Sequence, residues 1–254
     1  MAKPRKRHVQ QELFKKRGGK RRGAGRKPKG ARAGSPHKKR PVLAGRYPVH
    51  VVLRVVREIG SLRKRRMYAA LRAATLAVAL NELYIKENGA FRIVHISIQK
   101  THIHLIVEAE HATALSKGMQ SFQISAAKRL NREVRVEGMK QRTGTVFPDR
   151  FHEEIIKTPR QARHTLAYVM NNWRRHREDR EPTTRKWNVD PFSTGVLFAG
   201  WKEREGAELM WNWRRSYQPL FVYLPKTWLL REGWLKGGPR IQFREVPGPR
   251  DARR

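Results

Sequence analysis

The chain has 254 residues, 39% of them apolar, enough for one or two domains with a real core. Its 57 Lys and Arg against 21 Asp and Glu give a formal charge of +36, a self-repulsion that a polyanion relieves, so nucleic acid is the expected partner. The absence of cysteine excludes disulfides and thiolate metal sites, while the lack of any membrane-length apolar stretch or apolar signal core places the protein inside the cell, away from membranes.

Residues 1–46 form a Lys/Arg/Gly/Pro-rich arm whose composition cannot bury enough surface to fold alone. Its run Arg21-Arg22-Gly23-Ala24-Gly25-Arg26-Lys27-Pro28 is an imperfect match to a minor-groove AT-hook, and non-specific phosphate binding is the more ordinary use of such a run. The β-branched segment Val49 to Val56 then predicts a strand. Arg65 to Glu87 predicts a helix, with Met67, Leu71, Leu76, Leu80 and Leu83 at helical spacing and Asn88-Gly89 as its stop. Phe91 to Gln99 and His102 to Ala109 are two strands separated only by Lys100-Thr101, the mark of a tight hairpin. Ala114 to Val134 is a second helix on Leu115, Met119, Phe122, Ala126 and Leu130. After a fourth strand, His152 to Lys157, Thr158-Pro159-Arg160-Gln161 combines an N-cap, a first-turn proline and a capping-box glutamine, opening a helix to about His176.

The order βαββαβα predicts an α+β fold, a ferredoxin-like or RRM-like sandwich of antiparallel sheet with helices on one face, spanning residues 47–181. Residues 182–254 are a Pro- and Trp-rich extension carrying six of the seven tryptophans: Trp187, Trp201, Trp211, Trp213, Trp228 and Trp234. These rings either stack on unpaired bases or anchor the extension to the main domain, the latter being the more ordinary use of tryptophan.

Alternation along the hairpin puts His102, His104, Ile106 and Glu108 on one face and Ile103, Leu105, Val107 and Ala109 on the apolar one. Val94, Ile96 and Ile98 can join the apolar face, leaving His95, Ser97 and Gln99 on the polar side, where His50 and Arg54 also fall. Two imidazoles spaced in this way suit one cation, although such a pair alone is more often a polar strand face, and His50 and His95 taken singly read as ordinary hydrogen-bonded histidines. On the helix after Pro159, Ala162, Leu166, Val169 and Trp173 form the stripe that packs on the sheet. Tyr168 and Asn172 lie one turn apart at its edge, where the amide of Asn172 can offer an oxygen to the same cation.

With Thr101-His102-Ile103-His104-Leu105-Ile106-Val107-Glu108 and Tyr168-Val169-Met170-Asn171-Asn172-Trp173-Arg174, the chain resembles the REP-associated tyrosine transposases, a bacterial branch of the single-tyrosine HUH transposases, over about residues 46–180. The resemblance implies a nuclease and strand transferase that cuts single-stranded DNA beside a REP-like hairpin and retains the end as a 5′-phosphotyrosine. It assigns Tyr168 as nucleophile, His102 and His104 as metal ligands, and Asn172 to the polar position that completes the metal site, where some relatives carry glutamine. It implies a cytoplasmic, nucleoid-associated protein and leaves monomer and homodimer both open.

The chemistry suits these residue types. A phenol with an ordinary pKa near 10 is a weak nucleophile at neutral pH, and a divalent ion, Mg²⁺ or Mn²⁺, is the expected cofactor for aligning the phosphodiester and stabilising the departing 3′ oxygen. No residue stands out as a general base. Arg54, Lys128, Arg129, Arg132, Arg135, Lys140, Arg142, Arg150, Arg174, Arg175 and Arg177 supply an expected phosphate-binding surface, while Phe147 and Phe151 are better suited to core packing than to base stacking. The alternative is a non-catalytic or domesticated nucleic-acid-binding protein on the same fold; the aromatic pattern by which RRM sheets read RNA is missing.

Overall fold

In the computed structural model, which describes residues 40–84, 89–134, 141–204 and 217–246, the predicted elements occur in the predicted order. They are β1 (Val49–Arg54), α1 (Arg65–Tyr84), β2 (Phe91–Ile98), β3 (His102–Ala109), α2 (Ala112–Glu133), β4 (His152–Ile155) and α3 (Pro159–Arg175). The sheet is antiparallel with strand order β2-β3-β1-β4, the ferredoxin-like arrangement. Lys100-Thr101 closes the hairpin, and Gln99 N–H donates to His102 O at 2.9 Å. Thr158 Oγ1 accepts from Gln161 N–H while Gln161 Oε1 accepts from Lys157 N–H, so α3 starts where its capping sequence says. The arm up to residue 39, with its AT-hook-like run, and Glu87, Asn88, Arg135, Lys140, Trp211 and Trp213 lie outside the described residues.

Both faces of the sheet are covered, which amends the expectation of helices on one side. Val49, Val51, Leu53, Ile103, Leu105 and Val107 pack with α1 and α2 in one core. The other face is taken by α3, whose Ala162, Leu166, Val169 and Met170 join Ile106, Ile156 and the residues of the extension. On α1 the buried face runs through Met67, Ala70, Leu71, Ala74 and Val78 rather than the predicted Leu76 and Leu80; Leu80 is 44% exposed. Small residues there bring α1 close to α2, and a leucine-only reading of the stripe misses them. Gly118 of α2 lets that helix approach the sheet, because a Cβ there would overlap the Phe91 ring of β2.

A second correction concerns β2. The register slips between Ile93 and His95, a bulge that leaves Val94 on the α3 side, so it belongs to the second core and not with Ile96 and Ile98.

The extension wraps α3. Trp201 and Trp234 are 1% and 4% exposed within the second core, an anchoring use, whereas Trp228 is 48% exposed beneath the Lys236 ammonium. Three polar clamps hold it. Arg63 makes a bidentate pair with Asp190 at 2.8 and 2.9 Å, Arg163 pairs with Glu245, and the Glu108 carboxylate accepts from the backbone N–H groups of Lys226 and Thr227. Gly237 sits where any Cβ would strike the Pro159 carbonyl at the start of α3. Among the described residues no helix is long and apolar enough to cross a membrane.

Candidate active site

Strand alternation on β1 and β3 delivers His50, Arg54, His102 and His104 to the face under α3, and the helix brings Tyr168 down onto His50 and His104, with Asn172 one turn further along. The His102 and His104 rings lie with centroids 4.8 Å apart, nearly perpendicular. The Tyr168 ring stands edge-on to His104 at 5.3 Å and to His50 at 6.0 Å. His50 Nε2 lies 3.1 Å from His104 Nδ1, the kind of contact that fixes which ring nitrogen a metal-binding histidine presents. One turn after Tyr168, Asn172 is 0% exposed, and neither its oxygen nor its nitrogen has a hydrogen-bond partner among the described residues. A buried amide in that condition costs about 1–3 kcal/mol unless something occupies it, which fits a cation site.

Burial drives the His102 imidazole down to about 4, with the charges of His176 and Arg54 adding to it. His102 is therefore neutral at physiological pH and presents a lone pair. Among the described residues no group of three or more His, Asp or Glu is arranged to hold a metal. Two imidazoles and an amide oxygen, completed by water or phosphate, would suit Mg²⁺ or Mn²⁺.

The mouth of the cluster is cationic. Arg54 pairs across the strands with His102, Arg175 approaches the Tyr168 ring at 5.9 Å, and both are exposed. Exposed Arg150 precedes β4. Several other predicted phosphate contacts separate from the tyrosine: Lys128, Arg129 and Arg132 sit on α2, across the sheet, Arg142 is spent on Asn131 and Thr145 O, and Arg174 spends its guanidinium on Phe243 O, Asn188 O and Asp179. His95 is a satisfied core histidine bonded to Thr194 Oγ1, as its type predicts, and Phe147 and Phe151 pack on the first core.

The sequence reading missed one neighbour and one contact. His176 closes α3 with its ring 5.4 Å from His102; it follows Tyr168 and Asn172 at the same four-residue step, a signal that was there to find. The contact of His50 with His104 depends on strand pairing and had no local signal. A cavity of about 480 Å³ lies at the other end of the sheet, lined in part by Arg46, Tyr47, Lys157, Lys226 and Trp228, and shares no residue with this cluster. Concavity thus points away from the histidines, and side-chain chemistry is the better guide here.

No curated protein matches the chain. A solved structure of a REP-associated tyrosine transposase bound to a REP hairpin is similar, with a TM-score of 0.45 and 17% identity, over 76% of this chain and 100% of that one. The sequence model of the family described as "Transposase IS200 like" matches residues 48–172, a span that runs from the start of β1 through Asn172 and contains His50, His102, His104 and Tyr168. Through residues 48–172, the chain belongs to the IS200-like transposase family.

Proposed function

We propose that this transposase cuts and rejoins single-stranded DNA beside a REP-like hairpin by transesterification on Tyr168. The observation that carries the reading is the meeting of Tyr168, His102 and His104 on one patch of sheet and helix, with a buried Asn172 amide one helical turn away that has no hydrogen-bond partner among the described residues. The Tyr168 hydroxyl attacks phosphorus, a P–O bond to the tyrosine forms as the bond to the 3′ oxygen breaks, and the DNA 5′ end stays on the enzyme while the 3′ oxygen takes up a proton. Attack by a 3′ hydroxyl reverses the step, and the ester keeps the bond energy needed for rejoining.

His102, His104 and the Asn172 amide oxygen would hold Mg²⁺ or Mn²⁺, which when bound supplies charge stabilisation to the phosphodiester. Arg54 and Arg175 at the mouth attract and orient phosphates. All these residues meet within one chain, so the reading requires no exchange of helices between subunits. The protein acts in the cytoplasm on nucleoid DNA.

The test is incubation with end-labelled single-stranded hairpin DNA in Mn²⁺ or EDTA, resolved on denaturing gels. A Mn²⁺-dependent covalent adduct with a released 3′-hydroxyl fragment supports the reading; tight binding without any adduct points to a non-catalytic binder.

A further inference from the structure

His50 is left without a role by the metal-site reading on which this inference rests. It is 2% exposed and His104 3%, and their facing nitrogens, Nε2 and Nδ1, are 3.1 Å apart. A hydrogen bond between two neutral imidazoles needs one N–H and one lone pair, so two arrangements exist. If His50 donates, His104 accepts at Nδ1 and must carry its own proton on Nε2, which removes its second nitrogen as a metal ligand. If His104 donates from Nδ1, its Nε2 lone pair is turned toward a cation, and His50 carries its proton on Nδ1.

We infer that the second arrangement holds: His50 is a positioning residue that accepts from His104 Nδ1–H, and so sets the tautomer and ring orientation of a metal ligand. The backbone holds it there. In the β1–β3 ladder His50 pairs with Ile106 and is therefore diagonal to His104 on a strand covered on both faces. The edge of Tyr168 lies against both rings and limits their rotation. The β1–β4 register sets Glu154 across from His50, so the strand is held on both edges at this position.

Loss of such an outer partner lowers metal affinity roughly 10–100-fold. The experiment is calorimetric titration of Mn²⁺ into the DNA-free full-length protein, with long-range ¹⁵N–¹H NMR of the metal-free protein to assign the imidazole tautomers. The proton of His104 is expected on Nδ1. His50→Phe, which keeps a ring but no acceptor, is expected to weaken Mn²⁺ binding by about 10–100-fold, and His50→Gln, whose amide oxygen stands near the place of Nε2, to restore most of it. Wild-type affinity in a folded His50→Phe, or a proton on His104 Nε2, overturns the assignment while leaving the metal site in place. Should His50→Phe not fold, the wild-type tautomer decides alone. Unchanged Mn²⁺ binding in both His102→Ala and His104→Ala instead removes the metal site itself.

Discussion

The Tyr168 ring meets the His104 ring edge-on, with centroids 5.3 Å apart and planes at 90°. Residues 64 positions apart in the chain are thus neighbours only because α3 lies on the sheet face opposite α1 and α2. Tyr168→Phe keeps that edge contact and removes one oxygen. It is expected to abolish covalent capture of DNA while leaving hairpin affinity within about twofold, since the phosphate contacts are untouched. Filter binding and denaturing gels on the same preparation check it; residual adduct in Tyr168→Phe would assign the nucleophile elsewhere.

Asn172 separates stability from chemistry. Asn172→Leu fills similar space and deletes two buried polar atoms that lack partners among the described residues. The melting temperature in EDTA is expected to hold or rise, by up to about 1–3 kcal/mol in stability, while Mn²⁺ ceases to raise it and cleavage is lost. Thermal melts with and without Mn²⁺ decide; an unchanged Mn²⁺ shift would mean that the amide holds no metal.

His95 makes the fold sensitive to acid. Burial pushes its imidazole down to about 3, and Thr194 holds Nδ1. The unfolded chain takes up this proton below about pH 6.5 and the folded chain only near 3, so stability is present above 6.5 and lost as pH falls through that window. The slope is up to about 1.4 kcal/mol per pH unit for this group. His95→Asn, whose amide can still hydrogen-bond to Thr194, is expected to flatten the urea-unfolding profile between pH 6 and 4 by that amount. Parallel profiles for the two proteins would contradict the assignment.

Arginines on the two sides of the sheet should behave differently. Arg54→Ala and Arg175→Ala alter the mouth of the cluster and are each expected to lower the salt slope of hairpin binding by about one. Lys128→Ala and Arg132→Ala change α2, on the far face. They are expected to leave cleavage of bound DNA unchanged. Cleavage rates at saturating DNA, measured beside salt titrations, distinguish the two sets.

Much of this arrangement was legible in the residues because it is periodic. The alternation His102, His104 on β3, the capping box Thr158-Gln161 and the spacing Tyr168, Asn172 each name an element and a face without reference to the rest of the chain. What escaped depends on pairing at a distance. The bulge at Val94 inverts one residue's side with no mark in composition, and the Glu108 carboxylate is spent on the Lys226 and Thr227 backbone, more than a hundred residues away. Arg174 looked like a phosphate ligand for the same reason: its acceptors, Phe243 O and Asn188 O, are backbone atoms of the extension.

The most direct measurement is mass spectrometry of tryptic peptides after reaction with single-stranded hairpin DNA in Mn²⁺. The peptide containing Tyr168 is predicted to carry a nucleotide through a tyrosine–phosphate ester, absent in EDTA. A nucleotide on any other tyrosine, or metal-dependent cleavage with no peptide modified, would contradict it.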